Sequence, residues 1–205
     1  MTSSGTRWTP THAQLAAAAS KRLPDLIAPG LAVLFCGINP GLYSAAVGHH
    51  FARPGNRFWP TLFAAGFTPR VLGGFEDREL LAFGAGLTNI VGRASSAAAE
   101  LSADELRAGA EVLRRKAARY RPRFLAIVGL GAYRIAFGRP KAVGGRQSET
   151  IGTTAIWLLP NPSGLNAHYL PAELALRFGE LRVAAELPSG KRRSGDATLP
   201  RTRRR

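Results

Sequence analysis

A chain of 205 residues with 45% hydrophobic content can build one sizeable core, and it is too apolar to be a disordered polymer. Its 28 Lys and Arg against 13 Asp and Glu give a net charge of +15. Residues 31–186 alone hold 18 basic and 11 acidic side chains, so the body is basic without its ends, which fits a polyanionic partner. The single cysteine, Cys36, excludes an internal disulfide and a cysteine metal cluster. It lies in an apolar run, where a thiol behaves as a small buried hydrophobe. His12, His49, His50 and His168 lack metal-ligand spacing, so no metal is expected. No apolar stretch reaches the ~20 residues of a membrane helix. Residues 15–19 are too short and Ala-rich for a signal-peptide core, so the expected location is cytoplasmic rather than secreted.

In chain order, residues 1–10 are polar, and 11–28 read as a helix that stops before Pro29-Gly30. Leu31–Ile38 is a continuous apolar run, the pattern of a strand buried on both faces. Residues 39–57, with Pro40, Gly41, Gly48, Pro54 and Gly55, read mostly as loop. Asn56 is placed to cap a helix to about Ala65, closed by Gly66. A short helix at 76–83 precedes a strand at Gly86–Val91. Ser102 with Glu105 forms a capping box that starts an amphipathic helix to about Tyr120, with Leu106, Ala110 and Leu113 on its apolar face. Then come a strand at Phe124–Val128, a helix at 130–137, a strand at Ala155–Leu159 and a helix at 171–186.

Strands alternating with helices imply an α/β fold: a three-layer αβα sandwich on a central, mostly parallel sheet of four to five strands. Residues 1–27 read as a partly helical N-terminal extension and 28–186 as the folded domain. From 187 onward seven Lys and Arg accompany one Asp and no apolar face survives, the composition of a disordered basic tail.

Val128-Gly129-Leu130-Gly131-Ala132 after a strand has part of a dinucleotide fingerprint, but Arg134 occupies the third glycine position. Close packing of helix on strand is the better reading, and no nucleotide cofactor is expected. Paired-carboxylate hydrolysis needs two acids near ligand loops. The acids instead fall mainly in expected surface helices (Glu76, Asp77, Glu79, Asp104, Glu105, Glu111, Glu173, Glu180). There is no Gly-x-Ser-x-Gly elbow and no phosphate-binding Gly-rich loop ending in Lys. What remains are two loops at strand ends, each carrying a neutral amide: Asn39-Pro40-Gly41 and Asn161-Pro162-Ser163-Gly164-Leu165. Such loops sit outside the carboxyl ends of a parallel sheet, where α/β folds bind ligands. Phe51 alone reads as a core residue, but its place beside Arg53 and Arg57 in a Gly/Pro-rich stretch suits stacking on a flat ring. Leu165 has no partner at helical or strand spacing and reads as a loop anchor or an apolar wedge for a base stack.

Five segments then occur together and in order: Gly37-Ile38-Asn39-Pro40-Gly41-Leu42, Gly48-His49-His50-Phe51, Pro54-Gly55-Asn56-Arg57-Phe58-Trp59, Gly86-Leu87-Thr88-Asn89-Ile90-Val91 and Leu159-Pro160-Asn161-Pro162-Ser163-Gly164-Leu165. Over about residues 28–186 the chain resembles the mismatch-specific uracil/thymine-DNA glycosylases, the Mug/TDG branch of the uracil-DNA glycosylase superfamily. The resemblance implies a monofunctional, cofactor-free enzyme of base excision repair. Such an enzyme flips uracil mispaired with guanine, with possible extension to thymine or ethenocytosine, out of double-stranded DNA and hydrolyses its N-glycosidic bond.

By the same resemblance Asn39 orients the attacking water and Phe51 stacks on the extruded base. Ile38, Gly41, Ser44, His50, Asn89 and Asn161 belong to the base pocket, while Ser163, Gly164, Leu165 and Asn166 fill the vacated space and meet the opposite base. A monomer is implied, with downstream repair enzymes as further partners. The sister branch of efficient enzymes places Asp and His where this chain has Asn39 and Asn161, which implies slower chemistry. Ala167 replaces an Arg that often stands two residues past the wedge leucine, and the His49-His50 pair resembles thymine-active members. Two other readings predict different behaviour: a catalytically silent mismatch-binding protein would yield no abasic product, and a nucleotide-binding enzyme would respond to nicotinamide.

Overall fold

The computed structural model describes residues 8–163 and 169–188. Strands β1 (Val33–Gly37), β2 (Ala85–Asn89), β3 (Phe124–Val128), β4 (Gly145–Ile151) and β5 (Thr154–Leu159) form one sheet in the order β2-β1-β3-β5-β4. All neighbours run parallel except β4, which pairs antiparallel with β5 at one edge.

Period-two alternation sends the side chains of each central strand into two cores. Phe35, Ala126, Val128 and Trp157 face α3 (Phe58–Ala64) and α6 (Pro171–Ala184), where Phe58, Leu62, Phe178 and Leu181 meet them. Leu34, Cys36, Leu125, Ile127, Ile156 and Leu158 face α4 (Ala103–Tyr120) and α5 (Leu130–Ala136), against Leu106, Ala110, Leu113 and Tyr133. Strands buried on both faces and helices on each side make the three-layer αβα sandwich expected from the alternating pattern. Cys36 is fully buried, and desolvation holds its thiol far above the usual range, so it stays protonated.

Several local expectations are corrected. The helix expected over 11–28 stops early: α1 spans His12–Ala17, one 3-10 turn follows, and Pro24 sits in an extended strap instead. A proline at that point has no N–H for the helical ladder. The strap runs antiparallel to β2, with a bridge at Leu26↔Leu87 and another between Arg22 and Arg93. The 39–57 loop contains a helix, α2 (Leu42–Val47), because neither Gly nor Pro interrupts 42–47 and Gly48 closes it at φ 76°. Asn56 lies one residue before the cap position, its Oδ1 accepting from Phe58 N at 2.9 Å.

Edge strand β4, not expected at all, alternates half-buried and exposed residues in a polar sequence without an apolar run. The capping box at Ser102 and Glu105, by contrast, forms as read from sequence. Leu187 packs back with its N–H on Arg182 O, while the basic tail from 189 lies outside the described residues.

Candidate active site

The chain crosses from β1 to β2, then returns past β1 to β3, so loops after β1 and β3 diverge and leave a crevice at the carboxyl ends of the strands. A cavity of about 400 Å³ occupies this place. Its walls come from the end of each parallel strand: Gly37 and Ile38 after β1, Asn89 at the end of β2, Val128 at the end of β3, Asn161 and Ser163 after β5. Pro40, Gly41, Ser44, His50, Phe51, Arg53 and Asn56 of the first long loop complete it, with Ser95–Ala98 and Leu23 on further sides. No Asp or Glu is among these wall residues.

Asn39 is held by its amide nitrogen. Nδ2 donates to Arg93 O at 3.0 Å and to Ser95 Oγ at 2.7 Å. A carbonyl can only accept, and Ser95 Oγ spends its own proton on Ala97 O at 2.8 Å, so this network fixes which end of the amide is NH2. Both amide protons are used, and no donor among the described residues reaches Oδ1. The Arg93 carbonyl is itself placed by the Arg93 side chain, which forks onto Glu105 at 2.7 and 3.1 Å. The Arg93 guanidinium, and then the Ser102 N–H, bring the Glu105 carboxyl down to about 2, so the pair stays ionised at any working pH.

Phe51 has φ 49°, a left-handed conformation that costs a non-glycine residue of order 1 kcal/mol or more and persists only when neighbours hold it. They do so on both sides. His50 N donates to Asp77 Oδ2 at 3.0 Å, and Ala52 N donates to Ser44 Oγ at 3.1 Å. The Phe51 ring stacks on Phe58 at 3.9 Å and 14°, while its own N–H finds no acceptor among the described residues. Ser44 is thus a buried support of the loop.

Asp77, expected on a surface helix, is buried beneath this loop, and its other oxygen meets His49 Nδ1 at 3.1 Å. His50 is buried too, at 2% exposure. Its Nε2 lies 2.9 Å from Pro24 O and must therefore carry the proton, leaving Nδ1 as the acceptor. Desolvation pushes its pKa below the ordinary value, so the ring is neutral at pH 7.

The Asn89 side chain makes no hydrogen bond with any described residue, and its carboxamide lines the cavity with donor and acceptor both available. It can sit there because its register partner is Gly37. A Cβ on Gly37 would lie 2.6 Å from Asn89 Oδ1 and 3.3 Å from Phe51 Cζ. On the far side, Asn161 Oδ1 accepts from Ser163 N at 2.9 Å and so shapes the second loop. Arg57 braces that loop from across the cavity, donating to Pro162 O at 3.3 Å, Ser163 O at 3.0 Å and Tyr169 O at 2.9 Å.

A model of the uracil DNA glycosylase superfamily matches residues 24–182, most of the chain. The chain belongs to that superfamily. The fold agrees with the solution NMR structure of a candidate uracil DNA glycosylase from Methanosarcina acetivorans, at a TM-score of 0.52 and 17% identity, covering 80% of this chain and 98% of that one. Membership supports a hydrolase that acts on DNA as a uracil DNA glycosylase.

Within this superfamily frame, the structure brings Ile38, Asn39, Gly41, Ser44, His50, Phe51, Asn89, Asn161 and Ser163 to one cavity. Gly164, Leu165 and Asn166, with Ala167 and His168, lie outside the described residues. Sequence reasoning missed Leu23 and Ser95–Ala98. Ser95 carried one usable signal, its place shortly after Gly86–Val91, but its link to Asn39 spans 56 positions and has no periodic trace. The helix-on-strand packing expected at Gly129-Leu130-Gly131 is corrected: a Cβ on Gly129 would stand 3.0 Å from Ile38 Cδ1, in the loop after β1, and one on Gly131 in α5 would meet nothing within 4 Å.

Proposed function

We propose that the protein is a monofunctional, mismatch-directed DNA glycosylase that hydrolyses the N-glycosidic bond of uracil paired with guanine, with Asn39 positioning the water. The observation that carries this reading is the Asn39 amide, anchored through Nδ2 on Arg93 O and Ser95 Oγ. It leaves Oδ1 free to accept from a water in a cavity whose described walls contain no carboxylate.

In the proposed step the C1′–N1 bond breaks and its electron pair leaves with the base. The water oxygen bonds C1′, and its proton passes to solvent. A sugar with oxocarbenium character needs little push, so orientation does most of the work, and well-aligned groups contribute several kcal/mol. The free Asn89 carboxamide complements an imide edge, donor to acceptor and acceptor to donor. The unpaired Phe51 N–H is a donor for an oxygen of the departing base, where negative charge develops. The Phe51 ring, backed by Phe58, supplies a flat apolar face for a flipped pyrimidine. His50, neutral and with Nδ1 as acceptor, adds no charge to the pocket.

G·U selectivity enters through flipping, which costs a few kcal/mol and less from a mismatch. The ordered motifs from Gly37 to Leu165 favour the mismatch-specific branch, and the basic body suits the phosphate backbone.

The test is release of free uracil from a G·U duplex without metal or nucleotide, alongside A·U, single-stranded uracil and G·T substrates. Asn39→Ala should abolish turnover and leave DNA binding close to that of the unaltered protein. Turnover that survives this change defeats the mechanism, and DNA binding without any abasic product defeats the enzyme assignment.

A further inference from the structure

Leu23 is buried, at 8% exposure, yet it is part of neither core that flanks the sheet. Its burial serves the cavity, of which it forms a wall. It comes from the strap rather than from any strand or helix of the sandwich, and four of the five residues 22–26 are tied to the body. Arg22 bridges Arg93, and Pro24 O accepts from His50 Nε2 at 2.9 Å. Asp25 takes Thr88 Oγ1 at 2.6 Å and Lys116 Nζ at 2.7 Å, and Leu26 exchanges backbone bonds of 2.9 and 2.8 Å with Leu87. The strap pairs with β2 at Leu26↔Leu87, and the cavity that Leu23 walls is also lined by Asn89, the last residue of β2. Leu23 and the Asn89 carboxamide, which has no partner among the described residues, thus share the walls of one cavity.

Resting on the glycosylase reading, we infer that Leu23 is a specificity-determining residue that limits how far a flipped base extends along the edge read by Asn89. A pyrimidine imide edge meets the Asn89 amide, and the leucine side chain occupies the space beyond it. A base enlarged on that edge must displace this side chain. The ties on both flanks prevent the strap from yielding, because moving Leu23 would break the bond from His50 or the pairing with β2. An apolar wall of this kind discriminates by volume, and one or two methylenes change selectivity by roughly tenfold to a hundredfold.

The experiment compares single-turnover release of uracil with that of 3,N4-ethenocytosine, whose added ring lies across N3 and the 4-amino nitrogen. The full-length protein is tested with Leu23→Ala, Leu23→Val and Leu23→Phe. Leu26→Val serves as a control that loosens the strap without touching the cavity, and thermal melts confirm that each variant folds. The ethenocytosine-to-uracil rate ratio should rise about tenfold in Leu23→Ala, less in Leu23→Val, and fall in Leu23→Phe, with Leu26→Val unchanged. A ratio that stays within about twofold of the unaltered protein in the Val and Phe variants overturns the role of Leu23. So does an equal shift in Leu26→Val. If the unaltered protein releases uracil while these ratios stay flat, only this inference falls. If it releases no base from any duplex, the glycosylase reading falls and takes this inference with it.

Discussion

The Asn39 amide nitrogen lies 2.7 Å from Ser95 Oγ, and Ser95 in turn is tied by its own N–H to Pro40 O at 3.1 Å, so the two residues lock the loop after β1 to the loop after β2. The hydroxyl gives its proton to Ala97 O and can only accept from Asn39, which makes the contact directional. Ser95→Ala should therefore lower the single-turnover rate about fivefold, the worth of one hydrogen bond near 1 kcal/mol, with little change in DNA affinity. In an Asn39→Ala background the same change should cost nothing, because the group it orients is gone. An equal loss in both backgrounds would make Ser95 a general support of the fold.

Gly37 is required by two neighbours at once. A methyl group there would press into Asn89 Oδ1 and crowd the Phe51 ring edge. Gly37→Ala should displace both groups that face the proposed base and reduce the rate by about 10², as sub-ångström misplacement at a reacting site does. The sheet itself should survive, since β1 stays paired on both sides. Circular dichroism and a melt beside the rate measurement separate these effects. A near-normal rate would mean that neither Asn89 nor Phe51 is set by that close approach.

The elements legible in the sequence were those whose burial leaves a regular pattern, continuous in a central strand and striped in a surface helix. β3 was bounded from its apolar run alone, and α4 from its capping box and apolar stripe. β4 was not, because an edge strand in contact with solvent needs no apolar pattern, and Arg146, Ser148 and Thr150 all point outward. The two Asn loops announced themselves through strand-then-turn grammar. The groups that hold them did not, since Asn39–Ser95, His50–Pro24 and Arg57–Tyr169 join positions 56, 26 and 112 residues apart. Asp77 shows the same limit: the short helix expected at 76–83 is a 3-10 run, Gly74–Phe83, that looks like a solvated surface, but the Asp77 carboxylate is buried under His49 and His50.

His50 makes stability depend on pH in a defined direction. Its folded pKa is depressed by desolvation, so the unfolded chain binds a proton near 6.5 that the native ring resists. Above that value the group contributes no pH dependence. As pH falls below it, the unfolded state is favoured, by at most about 1.4 kcal/mol per pH unit. Urea midpoints at pH 7.5 and 5.5 should therefore differ more for the unaltered protein than for His50→Gln, which can keep a donor to Pro24 O. Equal pH dependence in the two proteins would show that His50 protonates freely in the native state.

Arg57 joins the two halves of the site. Its guanidinium gathers carbonyls of Pro162, Ser163 and Tyr169, which precede and follow residues 164–168, while its backbone opens α3, whose Phe58 supports Phe51. A lysine cannot reproduce a planar fork that reaches three acceptors in different directions. Arg57→Lys should leave at least one of those carbonyls without a donor and destabilise the fold by about 1–2 kcal/mol, visible as a lower urea midpoint at constant m-value. Its effect on chemistry should depend on the substrate. If residues 163–166 fill the space left by a flipped base, loosening their anchors slows excision from a G·U duplex, where the base must be kept out of the stack. Excision from single-stranded uracil DNA, which has no stack to refill, should change far less. A rate loss of the same size on both substrates would place the action of Arg57 in the base pocket itself, through α3 and Phe51, and not in the second loop.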